Sequence, residues 1–453
     1  MRNYPFKSMI KKYISSSLVL IVATIAALVV ANIPLWGDLY RSWWEMPVQF
    51  SIGSLNLFSH NGTTLTLIEV INDFLMAVFF FSVGLEIKRE ILVGELSSPK
   101  KAMLPIIGAI GGMIVPVLTF LLFCPNDADA MRGMAIPMAT DIAFSLGVLA
   151  SFGRRVPTGL KIFLAALAVA DDLGGIIIIA MFYSGAINWT YLLGAGICVL
   201  VLLLGNYRRW RYKTFYISVG LVTWYMLLNS GIHATIAGVV VAFCVPATLT
   251  GGTRYYIERI RKNINKFPII ESVKHNSHPV LLTEQEIHTL KSIESASDHL
   301  ISPLQDLEDG LHNPINFFII PLFAFANAGV NFAQMNIDSM YSGVGLAVFM
   351  GLVVGKILGV FSFSWLAIRS GIVTMPAGAN WKSFASVCML CGIGFTVSMF
   401  IADLSYSVPK LEGSTILNDA KLSILCGSIC SALIGYFLLK RNLPSAEEVA
   451  KCK

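Results

Sequence analysis

Long apolar runs separated by polar gaps follow one another along most of the sequence. Twelve such runs can be delimited, and most are long enough to cross a bilayer core of ~30 Å at ~1.5 Å per residue. The pattern predicts an all-α polytopic membrane protein in which residues 1–453 form a single membrane domain. The runs cover residues 16–33, 67–87, 102–123, 131–151, 159–184, 189–205, 214–230, 232–247, 314–333, 343–368, 383–402 and 420–439.

The polar gaps alternate in charge. Lys and Arg gather before the first run, after the second, fourth and sixth runs, and after the twelfth, whereas the gaps between these are nearly free of both. The positive-inside rule then places both termini in the cytoplasm. The net charge of +6 reflects these orientation signals, so no nucleic-acid partner is expected. A composition of 55% apolar and 13% charged residues also excludes an ordinary soluble protein.

Two gaps are long enough to hold structure of their own. Residues 34–66 alternate loosely between apolar and polar positions on either side of Asn61 and Gly62, which predicts a small β-hairpin on the outer side. Residues 248–312 are polar and mixed in charge, and they are expected to form a long cytoplasmic loop with a flexible middle.

The cysteines raise the question of a metal site. Cys388 and Cys391, with Cys426 and Cys430, resemble two halves of a zinc site by spacing. Four thiolates at membrane depth, without a nearby histidine, would be costly, so we expect these thiols to pack as small apolar groups. No cofactor is expected.

Four charged residues fall at the centres of apolar runs. Asp141 lies midway along the fourth run, Asp171 and Asp172 midway along the fifth, and Lys356 midway along the tenth. A carboxylate at that depth costs at least ~2.5 kcal/mol, which indicates a site for an ion or a proton. Lys356 is too far from either end of its run to reach water, so we expect it to pair with a buried carboxylate.

Two runs carry signals for a broken helix. Pro137 precedes Thr140 and Asp141 in the fourth run, and Gly392 and Gly394 lie at the middle of the eleventh. Runs three to five and ten to twelve begin on opposite sides of the membrane, so they form inverted repeats with a broken middle member. Paired interrupted segments of this kind are typical of the binding site of a secondary transporter.

The broken helices predict a division of roles among the charges. Crossed half-helices bring together ends that carry about +0.5 and −0.5 of a charge. Asp141 is placed to offset the positive ends and Lys356 the negative ends. Because Asp171 and Asp172 point about 100° apart on a regular helix, one can face Lys356 and the other a cavity.

Six motifs then identify a family. ATDIAFSLG, LAVADDLGG, FFFSVGLEIKRE, SGIHATIAG, IPLFAFANAGV and LVVGKILG resemble the NhaA-type bacterial sodium/proton antiporters, across nearly the whole chain. That family is itself a known example of inverted repeats with broken helices, so the architecture above is not independent of the resemblance. The resemblance implies a secondary antiporter of the bacterial inner membrane, not an enzyme. It would exchange cytoplasmic Na⁺ or Li⁺ for external H⁺ in an electrogenic, pH-regulated manner and serve sodium and pH homeostasis. The sequence does not decide whether the protein forms a homodimer.

The resemblance also implies roles for individual residues. Asp172 matches the main cation-binding carboxylate and Asp171 its neighbour, which pairs with Lys356. Thr140 and Asp141 match the polar break. The motif positions associated with the cytoplasmic funnel and the pH response are Glu86, Arg89, Glu90, His233 and Glu308.

One region departs from the family pattern. The loop over 248–307 is longer than is typical, and Leu307 and Asp309 flank Glu308 where the family usually has a basic residue beside the acid.

An intramembrane aspartic protease and a sodium-coupled transporter of organic anions are the two alternatives to antiport. An intramembrane aspartic protease needs two aspartates on separate helices that share a proton, and it carries a Gly-x-Gly-Asp signature that this sequence lacks. A sodium-coupled transporter of organic anions needs a wider cavity, and Lys356 beside adjacent carboxylates disfavours it.

Overall fold

The structure is a computed structural model. It describes residues 16–34, 36–53, 55, 56, 58–60, 63–124, 127–183, 185, 187–248, 253–266, 283–330, 332, 343–407 and 415–444.

The first half of the chain is a series of helices. They are α1 (Ser16–Asn32), α2 (Trp36–Trp44), α3 (Leu67–Leu92, with a π-helical turn at Ile71–Leu75), α4 (Pro99–Phe123), α5 (Ala128–Met131) continued by a 3₁₀ helix (Arg132–Met138), α6 (Ile142–Ala150), a 3₁₀ turn (Gly153–Arg155), α7 (Thr158–Phe182), α8 (Trp189–Tyr207), α9 (Lys213–Leu228) and α10 (Ile236–Cys244).

The second half is also helical. It comprises α11 (Thr253–Lys266), α12 (Glu284–Asp298), α13 (Pro303–Pro314), a π-helical turn (Ile315–Ile319), α14 (Ile320–Asn327), α15 (Gly343–Arg369, with a π-helical turn at Gly351–Gly355), α16 (Trp381–Leu390), α17 (Phe395–Tyr406) and α18 (Ile416–Asn442).

Strands occur in the segment for which a hairpin is predicted. β1 (Ser51–Ile52) pairs with β2 (Leu55–Asn56), and β3 (Ser59–His60) pairs with β4 (Thr63–Thr64), both antiparallel. Residues 61 and 62, the predicted turn, lie outside the described residues. The segment therefore contains two short antiparallel pairs.

Seven helices among the described residues are long and apolar enough to cross a membrane, and there are up to nine if each bent pair is one span. The bent pairs are α1 with α2, at 114°, and α16 with α17, at 43°. Three of the twelve predicted runs are missing from this count: 214–230 and 232–247, where α9 has only 16 residues and α10 only nine, and 314–333, where α14 has only eight. The described residues are predominantly helical, which is consistent with a multi-pass membrane protein.

The predicted loop over 248–312 contains more regular structure than its composition indicated. α11 and α12 pack side by side, and Asn263 Nδ2 donates to Ser292 Oγ at 2.9 Å. α13 begins at Pro303, eleven residues before the predicted ninth run, so Glu308 is part of a helix. The middle of the loop, 267–282, lies outside the described residues.

Small residues allow α4 and α15 to approach each other closely where they cross. A Cβ atom on Gly111 of α4 would lie 2.4 Å from the carbonyl oxygen of Gly359 on α15, so neither position has room for a side chain. One residue on, a Cβ on Gly112 would meet Val360 at 2.8 Å and the Cε atom of Lys356 at 3.5 Å. Small residues let membrane helices approach closely. This crossing therefore fixes Lys356 in the protein interior.

Candidate functional site

Two helix breaks meet at the centre of the molecule. Residues 139–141 separate the 3₁₀ helix from α6, and residues 391–394 separate α16 from α17. Each break satisfies backbone groups of the other: Asp141 N donates to Ile393 O at 2.7 Å, and the side-chain hydroxyl of Ser398 donates to Ile136 O at 2.8 Å. Irregular backbone at membrane depth is tolerated where protein satisfies it in this way.

Asp141 caps the N-terminal ends of two helices. Its Oδ1 accepts from Phe144 N at 3.0 Å in the first turn of α6. Its Oδ2 accepts from Thr396 at the start of α17, from the hydroxyl at 2.6 Å and from the backbone N–H at 3.3 Å. One negative charge therefore meets two positive helix ends, which is the favourable arrangement.

Lys356 provides the opposite charge. Its side chain is fully buried, and the ammonium donates to Met138 O at the end of the 3₁₀ helix and to Asp171 Oδ2, at 2.5 Å from the latter. A cation at the carbonyl end of a helix is stabilised by the helix dipole. The partial charges of the helix ends at the two breaks are therefore offset by one carboxylate, that of Asp141, and one ammonium, that of Lys356.

The two adjacent aspartates have different surroundings. Asp171 Oδ2 accepts from Lys356 and also lies 2.8 Å from Thr140 Oγ1, whose single proton is shared with Cys391 O at 2.9 Å. Asp172 lines a cavity instead, and among the described residues no donor forms a hydrogen bond with its carboxylate. It is nonetheless only 5% exposed. The charge of Asp171 is thus neutralised by Lys356, whereas the carboxylate of Asp172 is available to bind an ion or a proton from the cavity.

The cavity has a volume of about 540 Å³ and leads from Asp172 toward the C-terminal end of α3. Its polar lining includes Thr140, Asp141, Asp172, Thr396, Ser82, Glu86, Arg89, Glu308, His312 and Asn316. On the other side of the two aspartates is a void of only about 10 Å³ between Phe80, Ile176 and Ile401. A hydrated ion therefore has room to approach from one side.

A charged network lies along one wall of the cavity. Arg89 Nε is 2.9 Å from Glu308 Oε1, and Arg89 Nη2 is 3.2 Å from Glu90 Oε1. Glu90 Oε2 also accepts from the backbone N–H of Glu95 at 2.9 Å. Glu86 lines the same cavity one helical turn closer to the aspartates. The structure therefore brings four of the five predicted funnel residues together.

His233 lies apart from this network. Its Nδ1 is 3.2 Å from Thr235 Oγ1, and its ring packs edge-on against Phe400 with centroids 5.9 Å apart. It is not part of the cavity lining. The structure thus does not bring His233 to the charged network.

Sequence reasoning missed a second buried pair of opposite charges. Lys421 Nζ lies 2.8 Å from Asp403 Oδ1, and both residues are buried. Each charge lies at the edge of a predicted run, Asp403 just after 383–402 and Lys421 at the start of 420–439, where a charge is expected to reach water. The available signal was that the two charges are opposite and flank the same short gap.

Comparison with known proteins gives a consistent result. The family model described as "Na+/H+ antiporter 1" matches residues 7–439. A Bacteroides fragilis protein named "Na(+)/H(+) antiporter NhaA" is 49% identical over 431 residues, which is 95% of this chain and 96% of the relative. Proteins of the same name from Phocaeicola vulgatus and Porphyromonas gingivalis are 48% and 43% identical, over 98% and 96% of this chain and 97% and 95% of each relative.

Proposed function

Because the chain belongs to the Na⁺/H⁺ antiporter 1 family and exchanges Na⁺ for H⁺, we propose that Asp172 is the group that binds the two ions in turn. The observation that supports this assignment is the contrast among the three buried carboxylates. Asp141 is committed to two helix ends, and Asp171 is neutralised by Lys356. Asp172 alone of the three faces the cavity without a hydrogen-bond donor among the described residues.

The chemistry of the surrounding groups suits a small hard cation. Na⁺ prefers oxygen ligands, and Asp141, Thr140 and Thr396 contribute oxygen-bearing side chains to the lining of the same cavity as Asp172. A protonated carboxylic acid binds such a cation poorly, whereas the ionised form binds it well. Occupancy by Na⁺ and by H⁺ is therefore mutually exclusive, and that exclusion couples the two flows.

The experiment that tests the site measures Na⁺-dependent proton movement in everted vesicles over a range of pH. If the two ions compete for one carboxylate, the apparent KM for Na⁺ rises as the pH falls, by up to tenfold per pH unit in the acidic range. A maximal rate that falls with pH while KM stays constant would contradict a shared site. Parallel runs with Li⁺ and K⁺ define the range of cations, and we expect Li⁺ to be accepted.

The transport cycle is proposed to move net charge. If Asp171, Asp172 and Lys356 together release more than one proton for each Na⁺ bound, each turnover responds to the membrane potential by ~2.3 kcal/mol per charge per 100 mV. Initial rates should then change with an imposed potential, and a supported membrane should show a current when Na⁺ is added. Initial rates that do not depend on the membrane potential would indicate an exchange of one H⁺ for one Na⁺.

The arrangement in the membrane is also part of the proposal. Residues 1–453 would form one domain with twelve crossings, including inverted repeats, in the bacterial inner membrane. The cavity is lined by Arg89, which in the sequence belongs with Lys88, Lys100 and Lys101 to a basic cluster that the positive-inside rule assigns to the cytoplasm. Both termini would be on that side, and the segment with β1 to β4 outside. The protein would need no cofactor and would not act as an enzyme.

The charged network of Glu86, Arg89, Glu90 and Glu308 is proposed to adjust the pH response. Glu86, Arg89 and Glu308 line the cavity that Asp172 also lines, and none of them is bonded to Asp172, so a change of protonation there would alter contacts between α3 and α13 and leave the ion ligands in place. His312 lies in the same cavity, with Nε2 3.2 Å from Asn316 Nδ2, and adds an imidazole to the polar lining beside Glu308.

A further inference from the structure

Four side chains form a closed ring on the side of the ion site opposite to the cavity. Lys421 Nζ is 2.8 Å from Asp403 Oδ1 and 3.5 Å from Asn327 Oδ1. Asn327 Nδ2 donates to Asn72 Oδ1 at 2.8 Å, and Asn72 Nδ2 donates to Asp403 Oδ2 at 3.2 Å. Asp403, Lys421 and Asn327 are each less than a tenth exposed. Such a ring has no part in the proposed ion site.

The ring joins two walls that the cavity holds apart. One wall of the cavity consists of α3, α13 and α14, and the other consists of the two helix breaks with α6, α7 and α17. In the ring, Asn72 belongs to α3 and Asn327 to α14, whereas Asp403 belongs to α17 and Lys421 to α18, which packs against α17 and is counted with the second wall. The two walls are therefore separated at one end of the molecule and tied together at the other.

The ion site lies between these two ends. Asp403 is seven residues beyond Thr396 on α17, which is about 10 Å along the helix. An aromatic layer fills the interval, because Phe400 of α17 packs against Phe80 of α3 and Phe323 of α14 with ring centroids 5.7 and 6.4 Å apart. The apolar layer excludes water, and the ring closes the walls behind it.

The ring divides without leaving a buried charge alone. Its two bonds within a wall are the ion pair of Asp403 with Lys421 and the amide bond of Asn327 with Asn72. Its two bonds across the walls are those of Asn72 with Asp403 and of Lys421 with Asn327. If the walls part, each half keeps an internal partner and water can replace the two lost bonds, so the cost of opening stays moderate.

We propose that this ring is the lock that keeps the outer side closed, and that it splits into its two halves each time the ion site is exposed to the outside. The proposal rests on the ion site at Asp171 and Asp172, because a transporter must open that site to each side in turn. It assigns Asn72, Asn327, Asp403 and Lys421 a gating role in the exchange, distinct from ion binding.

The first test joins the walls covalently. In a chain whose eight native cysteines are replaced, Asn72→Cys with Asp403→Cys is treated with a short bifunctional thiosulfonate reagent, and Na⁺/H⁺ exchange is measured before and after reduction. A lock predicts at least a tenfold loss of exchange on cross-linking, reversed by reduction. Asn72→Cys with Asn327→Cys is the matched control, because its cross-link joins two residues of one wall, so the rate of this variant should be the same before and after cross-linking. Full activity of the cross-linked first variant would show a permanent staple and overturn the proposal.

The second test does not require transport activity. Ile401, which lines the small void beside the aspartates, is replaced by cysteine, and its labelling by an impermeant thiol reagent is timed from the outer side. Removing both bonds across the walls with Asn72→Ala and Asn327→Ala should increase the labelling rate about tenfold or more. Asn32→Ala is the control, since its amide donates to Leu28 O of its own helix and to Val330 O after α14, and neither bond reaches α17 or α18. Unchanged labelling in the double variant would overturn the proposal, whatever the outcome for Asp172.

Discussion

The molecule contains two buried pairs of lysine and aspartate, and they differ in what surrounds them. The pair of Lys356 and Asp171 is fully buried at the meeting of two helix breaks, next to Asp172 and a cavity of about 540 Å³. The pair of Lys421 and Asp403 is almost as buried, with side chains 10% and 8% exposed, but it joins α17 to α18 away from both helix breaks and is enclosed by asparagine amides. A buried ion pair thus indicates an ion site only where an unpaired carboxylate and a cavity adjoin it.

The largest expected effect is on exchange activity, and it should distinguish the ion site at Asp172 from the ring at Asp403. Asp172→Asn should reduce Na⁺-dependent proton release at least about 100-fold, because the amide cannot supply the charge that both ions require. Asp403→Asn keeps the shape of its site and should retain at least about a tenth of the wild-type rate. Fluorescence quenching in everted vesicles measures both. Equal losses in the two variants would remove the distinction between an ion site and a lock.

Stability provides the second test of the comparison. Lys356→Met leaves Asp171 fully buried without its cation, and breaking such a pair costs about 3–5 kcal/mol. Lys421→Met should cost less, about 1–3 kcal/mol, because Asp403 keeps the hydrogen bond from Asn72 and is closer to water. Thermal unfolding of the purified protein in detergent compares them. Asp171→Asn combined with Lys356→Met removes both charges and should recover much of the loss.

The third prediction concerns the two adjacent aspartates. Asp171→Asn removes a countercharge of Lys356 and leaves Asp172 at the cavity, so exchange should fall by about tenfold, less than in Asp172→Asn. The variant should also change the charge moved per ion, which the current on a supported membrane reports. Wild-type exchange by Asp172→Asn together with a complete loss in Asp171→Asn would reverse the two assignments.

The smallest expected effect lies in the charged network of the cavity. Glu308→Gln and Glu90→Gln each remove one partner of Arg89, and partly exposed ion pairs are worth up to about 1 kcal/mol, so the pH midpoint of activity should move by about half a unit. The KM for Na⁺ at the optimum should stay near the wild-type value. Asp306→Asn, on the same helix but paired with Lys213 outside the cavity lining, is the control. A loss of thermal stability with an unmoved midpoint would show that the network only fastens α3 to α13.

Much of the site could be predicted from the sequence because its residues are of types that rarely occur in the middle of a membrane helix. A proline before Thr140 and Asp141, glycines at 392 and 394, and a lysine midway along an apolar run each conflict with an ordinary membrane helix. The family resemblance and the Na⁺/H⁺ exchange were both confirmed by the comparisons. The assignment of Asp171 to Lys356 came from the resemblance, since the 100° between adjacent side chains does not say which one faces the lysine.

The rest depends on contacts that a pattern of polarity does not contain. Hydropathy could not show that the apolar run at 232–247 forms a helix of only nine residues, or that α13 begins at Pro303 inside a polar loop. The ring was invisible for a related reason. Asparagines such as Asn72 and Asn327 are ordinary near helix ends, and only the fold brings them to Asp403 and Lys421.

The contact between Lys356 and Asp171 also constrains how the protein is made, because the two residues are 185 positions apart in the chain. At a synthesis rate of about 5–20 residues per second, α7 enters the membrane roughly 10–40 s before α15 emerges from the ribosome. During that interval Asp171 is in the bilayer without its cation, and a neutral acid is the cheaper form to hold there. The centre of the molecule is therefore completed late in biogenesis. A chain that stalls or is truncated before α15 would carry Asp171 into the membrane with no lysine to pair with it.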